Sequence, residues 1–399
     1  MFEGLMVEIY INDITLRDGE QAAGVNFSPL EKLQVAEQLV NLGLKVIEAG
    51  FPIASELDAE GVRLVAKEFG DDIIVSAMCR AHKKDIEVAA QALGSATKGR
   101  IQVVMGTSDI HLKHKFNMSR EQALELSVSM VQYAGTFVED VEFAAEDATR
   151  SDLDYLKQVC EECVRAGAKT VELPDTVGYI TPDEYSVMVK IIVDAVNNIR
   201  PDSVVSTHCH DDLGLAVANT LAGIRAGARQ AEVTMNGIGE RVGNASTEEV
   251  IMALKTRQDF YQADVDYIHT TEIMKTSELV ERLSGIKVAY NKAIVGRNAF
   301  LHESGIHQDG LLKSPQTYQL IDPKDIGLDG YRLVLGKLSG KHALADKLSQ
   351  LGVEFSEGKM NEFSDYFKVN AAKKKFVTDD DVLCLVDKFN SEVCVEGSV

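Results

Sequence analysis

The sequence predicts an α/β fold, a (β/α)8 barrel of the TIM type followed by a smaller, mostly helical C-terminal domain. Eight short β-branched runs alternate with segments of helical periodicity through the first part of the chain. Polar residues cluster directly after these runs, where the active sites of such barrels form. A doubly wound open sheet is the alternative, but the number of units and the placement of the polar residues favour a closed barrel.

The strand and helix signals follow one another in order. Two helix starts are capping boxes, in which Ser28 precedes Pro29 and Glu31, and Ser119 precedes Gln122. The predicted strands, in chain order, are "VEIYIND", "VIEAG", "IIVSAM", "RIQVVMG", "VEDVEFA", "TVELPD", "VVSTHCH" and "AEVTMNG".

The alternation stops near residue 260, which divides the chain into two predicted domains. Residues 1–260 form the barrel, and residues 261–399 form a helical subdomain. The second domain starts with a helical pattern, "YIHTTEIMKTSELVERLSG", and continues through an irregular glycine-rich stretch.

Charge and composition restrict the class of protein. The chain has 399 residues and a formal net charge of −21. A field this acidic disfavours binding to nucleic acid or to an anionic membrane. The N-terminal stretch lacks the pattern of a signal peptide, and no run of about 18 apolar residues occurs. We therefore expect a cytoplasmic protein that binds small molecules.

Two histidines at the end of the seventh predicted strand point to a metal. His208 and His210 lie in "STHCHDDLG". Residues two apart on a strand face the same side, about 7 Å apart, so both imidazoles can face the barrel mouth. Paired imidazoles suit a divalent metal ion.

Neighbouring strands offer further ligands, because strands seven, eight and one are consecutive around a closed barrel. Asp18 follows the first strand and Asn244 follows the eighth. With the histidines they form a donor set for Mn²⁺, Mg²⁺ or Zn²⁺ that leaves positions open for substrate. Asp211 and Asp212 are alternative ligands.

Arg17 precedes Asp18 and is a candidate catalytic residue. A guanidinium beside a metal would stabilise an oxygen that gains negative charge. A salt bridge at the barrel end, for example to Glu48, is the alternative. The glycines of "NGIGERVGN" do not match a dinucleotide-binding fingerprint and instead allow close approach of the backbone to substrate or metal.

Four motifs in order resemble the 2-isopropylmalate synthase and homocitrate synthase family. They are "LRDGEQ", "HCHDDLGLAVANTLAG", "NGIGERVGNAS" and "HESGIHQDGLLK". The resemblance implies a Claisen condensation of acetyl-CoA, as co-substrate, with a 2-oxo acid. It also implies that Asp18, His208, His210 and Asn244 bind the metal, and that Arg17 polarises the ketone.

The resemblance assigns further residues to the site. Glu146 matches an acidic residue near the reaction centre, Thr176 matches a residue that holds the substrate carboxylate, and Gln21 lies in a substrate-binding motif. His307 and Tyr318 match catalytic residues that reach the site from the second domain, usually that of a partner subunit. A homodimer with exchanged domains is therefore expected.

The motifs "EAGFPIAS", "NKAIVGRNAF" and "GIHQDG" favour 2-isopropylmalate synthase, which uses 3-methyl-2-oxobutanoate in leucine biosynthesis. Two substrate-binding positions depart from that pattern: Gln102 stands where histidine is usual, and Ala144 where serine is usual. Homocitrate synthase, acting on 2-oxoglutarate, and citramalate synthase, acting on pyruvate, are therefore alternatives. The chain ends where longer members carry a leucine-binding domain, so leucine feedback is not expected.

Two hypotheses lie outside this reaction class. A metal-dependent hydrolase on the same barrel would usually carry the H-x-H pair on its first strand, whereas here it is on the seventh. A non-catalytic metabolite-binding paralogue would not need Arg17, Glu146 and His307 together with the metal ligands.

Overall fold

The computed structural model describes residues 6–94, 96–330, 332–374 and 377–396. It divides into two compact units. The first runs to Val288 and includes Ala293–Val295, and the second contains Ala289–Lys292 and resumes at Gly296.

The first unit contains a closed barrel of eight parallel strands, which confirms the predicted fold. Each strand pairs with the next, and the eighth pairs with the first. The barrel strands are β1 Tyr10–Asp13, β2 Val46–Gly50, β3 Ile74–Arg80, β4 Gly99–Gly106, β5 Asp140–Glu146, β6 Thr170–Asp175, β7 Val204–Cys209 and β8 Gln230–Val233.

A helix follows each barrel strand and covers its outer face. Strands buried on both faces read as nearly continuous apolar runs, and all of Val46–Gly50 is buried. Both predicted capping boxes, at Ser28 and Ser119, are present. The helices are α1 Pro29–Asn41, α2 Glu56–Phe69, α3 Lys83–Leu93, α4 Arg120–Ala134, α5 Leu153–Ala166, α6 Pro182–Asn197, α7 Ala216–Arg225 and α8 Thr247–Thr256.

The first compact unit continues past residue 260. Helix α9, Ile273–Ser284, is bonded to the barrel on one side. Gln38 Nε2 donates to Thr276 Oγ1 at 3.2 Å, and Asn236 Nδ2 donates to the Ser277 carbonyl at 3.0 Å. These bonds place the helix predicted after residue 260 in the same unit as the barrel. The predicted boundary between functional domains stays a prediction.

The second unit is mostly helical and has its own apolar core. Short parallel strands, Leu301–His302 and Arg332–Leu333, accompany its helices. Phe363 and Phe367 are among its buried core residues. The helices are α10 Gly305–Lys313, α11 Lys341–Gln350, α12 Glu357–Ala371 and α13 Asp379–Glu396. Within the described ranges of both units, no helix has the length and apolarity needed to span a bilayer.

Candidate active site at the carboxyl end of the barrel

The loop after β1 carries Arg17 and Asp18 into the barrel mouth. The backbone N–H groups of Arg17 and Asp18 donate to the Ile14 carbonyl at 3.1 and 2.9 Å. Both side chains are buried. The tight turn therefore holds two adjacent charged side chains at the carboxyl end of the barrel, where the sequence predicts them.

The histidines of β7 face the same point. Their ring centroids are 5.1 Å apart. Oδ2 of Asp18 lies 3.8 Å from Nε2 of His208 and 3.9 Å from Nε2 of His210. These three buried residues offer ligand atoms within 4.8 Å of one another, a spacing that one metal ion can bridge.

Asn244 completes the predicted donor set. The backbone of His210 forms an isolated antiparallel bridge with Asn244, which brings the strand-eight loop against the histidines. Asn244 Nδ2 donates to Oδ1 of Asp18 at 2.8 Å. Asn244 Oδ1 and His208 Nε2 are buried without a hydrogen-bond partner among the described residues. Unpaired buried acceptors beside a carboxylate fit a divalent cation.

Electrostatics favour a carboxylate at Asp18 and a neutral imidazole at His210, which are the protonation states that a cation needs. Burial alone would raise the pKa of Asp18, but Arg17 and the histidines hold that pKa well below its usual range. Burial and the neighbouring His208 lower the pKa of His210 to about 4.

His208 is oriented by two carboxylates that the sequence analysis missed. Its Nδ1 lies 2.8 Å from Oε1 of Glu172 and 3.1 Å from Oε2 of Glu232. Burial lowers the pKa of His208, but these two groups outweigh it and raise that pKa above its usual range. A proton held on Nδ1 leaves Nε2 directed at Asp18.

A sequence signal for these carboxylates exists. Glu172 and Glu232 are acidic residues that stand between apolar neighbours in the predicted strands "TVELPD" and "AEVTMNG". In the barrel, His208 stands opposite Glu232 in register. A charge on the inner face of a buried strand needs a partner, so this pattern could have identified them.

Arg17 makes the salt bridge to Glu48 that was considered as the alternative, and it also pairs with Asp18. Its Nε lies 2.8 Å from Oε2 of Glu48, and its Nη1 lies 2.6 Å from Oδ2 of Asp18. Burial raises the pKa of Glu48 to about 8. Arg17 opposes this rise, and the neighbouring carboxylates Glu172 and Glu232 add to it. The salt bridge fixes the guanidinium without using Nη2.

A glycine of "NGIGERVGN" permits the close packing at this point. A Cβ on Gly239 would lie 2.1 Å from Nδ2 of Asn244 and 3.0 Å from Oδ1 of Asp18. Only glycine leaves room for both side chains, in agreement with the predicted close approach of the backbone. Asp212 instead pairs with Arg241 at 2.8 Å and lies outside the ligand cluster.

A cavity of about 970 Å³ opens over the cluster. Its lining includes Gln102, whose Nε2 donates to Oε2 of Glu172 at 2.9 Å. The predicted site residues of the barrel that line this cavity are Arg17, Asp18, Gln21, Gln102, Ala144, Glu146, Thr176, His208 and His210.

Glu146 has a partner that the sequence analysis missed. Lys115 Nζ lies 2.6 and 2.7 Å from the two carboxylate oxygens of Glu146. Lys115 lies in a short helical insertion between β4 and α4, Leu112–Phe116, and no motif marked it. Thr176 Oγ1 accepts from the Asp147 N–H at 2.9 Å, an interaction that leaves its hydroxyl hydrogen available as a donor.

His307 and Tyr318 lie in the second compact unit. Their rings stack, with centroids 4.1 Å apart and planes at 21°. Tyr318 is 43% exposed. Within that unit the two predicted residues therefore form one aromatic pair.

Comparison with known proteins decides the family. An HMGL-like family model matches residues 8–280, and a homocitrate synthase post-HMGL domain-like model matches residues 294–375. A 2-isopropylmalate synthase of Pyrococcus abyssi is 49% identical over 395 residues, which cover 98% of this chain and 81% of that protein. A 2-isopropylmalate synthase of Carboxydothermus hydrogenoformans is 52% identical over 386 residues, which cover 96% of this chain and 75% of that protein.

The chain belongs to the 2-isopropylmalate synthase family. This confirms the resemblance drawn from the four motifs and the prediction that the chain is an enzyme.

Solved structures with lower sequence identity to this chain have the same fold. An HMG-CoA lyase from Brucella melitensis aligns with a TM-score of 0.57 at 21% identity, covering 70% of this chain and 100% of that one. A hydroxymethylglutaryl-CoA lyase from Pseudomonas aeruginosa aligns with a TM-score of 0.58 at 19% identity, covering 78% and 99%.

Proposed function

We propose that the protein condenses acetyl-CoA with 3-methyl-2-oxobutanoate to give 2-isopropylmalate and CoA, a reaction of leucine biosynthesis. The observation that carries this proposal is the identity of about half the residues with 2-isopropylmalate synthases across nearly the whole chain. The buried donor cluster below a large cavity supports it.

In the proposed reaction, a base takes a proton from the acetyl methyl group. The resulting carbon nucleophile forms a bond to the ketone carbon of the oxo acid, and the ketone oxygen takes up a proton. Water then cleaves the thioester and releases CoA. Hydrolysis of the thioester drives the overall reaction toward product.

Arg17 is proposed to stabilise the ketone oxygen as it gains charge. Its Nε and Nη1 are held by Glu48 and Asp18, so Nη2 can donate to a substrate oxygen without rearrangement. A preorganised donor of this kind is worth more in a buried site than in water. Thr176, with its hydroxyl hydrogen available, is proposed to donate to the substrate carboxylate.

A divalent cation held by Asp18, His208, His210 and Asn244 would supply Lewis acidity toward a carbonyl oxygen. The oxygen and imidazole donors suit Mn²⁺ or Mg²⁺, and also Zn²⁺. Glu172 and Glu232 hold the tautomer of His208 that such binding requires.

Glu146 is proposed to handle a proton near the reaction centre. In the structure its carboxylate is paired with Lys115, which keeps it beside the cavity and at a fixed orientation. Each carboxylate oxygen has a second lone pair, so Glu146 can accept a proton while Lys115 stays bound.

Gln102 and Ala144 bear on the choice of oxo acid, because both line the cavity where the family pattern has histidine and serine. Gln102 is buried, and its Oε1 lacks a hydrogen-bond partner among the described residues. Because both positions depart from the pattern of 2-isopropylmalate synthases, homocitrate synthase, acting on 2-oxoglutarate, is the second candidate. Citramalate synthase, acting on pyruvate, is the third.

The test is a screen for CoA release, read with a thiol-reactive dye, across 3-methyl-2-oxobutanoate, 2-oxoglutarate and pyruvate with Mn²⁺ or Mg²⁺. We expect the highest kcat/KM for 3-methyl-2-oxobutanoate. A higher kcat/KM for another acid would make that acid the assigned substrate. No release with any acid contradicts the proposed reaction and favours a metabolite-binding paralogue, for which calorimetry would show oxo-acid binding without turnover.

The remaining elements of the proposal concern the assembly. We propose a cytoplasmic homodimer in which His307 and Tyr318 of one subunit act at the barrel of the other. The family resemblance of "HESGIHQDGLLK" supports this arrangement.

A further inference from the structure

Lys32 is a buried cation beside the site that the proposed mechanism does not use. It lies in α1, and its side chain is 1% exposed. Lysine is almost never fully buried unless it is paired. Nζ of Lys32 lies 2.6 Å from Oε2 of Glu20 and 3.1 Å from Oδ1 of Asp58, and it donates to the Leu16 carbonyl at 3.2 Å. The three hydrogens of the ammonium group therefore have three acceptors.

The three acceptors of Lys32 belong to two different parts of the chain near the site. Leu16 and Glu20 lie on either side of Arg17 and Asp18 in the loop after β1. Asp58 lies in the first turn of α2. One ammonium group of α1 thus ties the loop, on both sides of its two charged residues, to the helical layer.

Gly61 in α2 provides the space for the lysine stem. A Cβ at Gly61 would lie 2.7 Å from Cδ of Lys32, closer than such atoms approach. A glycine inside a helix is unfavourable relative to alanine, so its presence here needs a reason. Because the end of Lys32 is held by three acceptors, its stem cannot move aside without loss of those bonds.

We propose that Lys32 is a positioning residue for Arg17 and Asp18, and that Gly61 admits its stem. The roles of Arg17 and Asp18 rest on the proposed function. The arrangement of the loop does not, so it can be tested separately.

The first test compares G61A with G358A. Gly358 is a glycine in the first turn of α12 at which a Cβ would meet nothing within 4 Å, so its variant controls for a helical glycine-to-alanine change without a steric clash. In G61A we expect faster amide hydrogen exchange of a peptide covering residues 14–21 and about tenfold weaker Mn²⁺ binding by calorimetry. We also expect a fall in kcat with little change in the KM for acetyl-CoA. G358A should match the wild type in all four measurements.

The second test is a double-mutant cycle with K32M. If Gly61 acts through Lys32, the effects of G61A and K32M on exchange and on Mn²⁺ affinity will not add, because an unanchored methionine can move away from the new Cβ. Additive effects would overturn the proposal. If K32M does not fold, the comparison of G61A with G358A decides the question alone.

The outcomes separate this inference from the proposed function. Unchanged exchange of residues 14–21 in G61A overturns the positioning role. Faster exchange with unaltered Mn²⁺ affinity and kcat also overturns it. If the wild type neither binds Mn²⁺ nor releases CoA, the proposed function fails, and the exchange result alone decides whether Lys32 holds the loop.

Discussion

At the scale of single residues, the site depends on charged groups whose neighbours fix both their position and their protonation. Arg17 is the clearest case, because two buried carboxylates hold its guanidinium at different nitrogens. Lysine would keep one positive charge but cannot reach both carboxylates as a fork. Replacing Arg17 with lysine therefore tests the orientation of the guanidinium separately from its charge.

We predict that R17K lowers kcat by about 10²–10³-fold with a smaller change in KM. The matched control is R100K, because Arg100 is a second buried arginine that bridges carboxylates, Asp140 and Glu142, at the opposite end of the barrel. R100K should cost stability and leave kcat within a few-fold of the wild type. Equal losses of kcat in both variants would contradict the role of Arg17.

At the scale of elements, the inner faces of the strands carry a buried polar network. Arg100 Nη1 donates to Oε1 of Gln230 at 2.8 Å, and Gln230 Nε2 donates to Oε1 of Glu142 at 2.9 Å. Burial raises the pKa of Glu142 to about 8, helped by Glu232 and opposed by Arg100. The network thus contains an acid that the folded barrel favours in its protonated form.

The pH dependence follows from the sign of that shift. A raised pKa means that the folded state binds the proton more tightly than the unfolded state. Glu142 therefore contributes progressively less to stability as the pH rises from its pKa in the unfolded chain toward its pKa of about 8 in the folded barrel. We predict that the melting temperature of E142Q, relative to the wild type, rises by several degrees between pH 5 and pH 8. The E68Q variant, at an exposed glutamate, controls for the loss of one charge. Parallel curves for E142Q and the wild type would refute the assignment.

Periodicity, capping and strand order were sufficient to predict the barrel, its helices and the convergence of Asp18, His208, His210 and Asn244. These are consequences of local pattern and of ring closure, both of which a sequence displays. The partners of these residues were harder to predict. Lys115 contacts Glu146 from an irregular insertion, and Lys32 contacts Leu16 of the loop after β1 from helix α1. No short sequence motif marks either contact.

At the scale of the whole molecule, the residues that the family resemblance assigns to the site are divided between the two compact units of the chain. His210 belongs to the first, and His307 and Tyr318 belong to the second. If partner subunits exchange the second unit, a defect in one unit can be complemented by an intact copy in the other chain. This is testable without any further structure.

We predict that H210A and H307A are each inactive and that isolated heterodimers of the two regain about half of the wild-type turnover per dimer, because one of two sites is then intact. Heterodimers of H210A with D18A are the control, since both losses fall in the same unit and neither site is intact. Heterodimers of H210A and H307A that remain inactive would contradict the exchange of domains.

The central claim is that one divalent cation is bound by two imidazoles of β7 together with oxygens from the neighbouring loops. Pulsed electron paramagnetic resonance of the Mn²⁺-loaded protein measures this most directly, through the couplings of Mn²⁺ to imidazole nitrogen. We predict two coupled nitrogens in the wild type and one in H210A. The absence of nitrogen coupling in the Mn²⁺-bound wild type would contradict it.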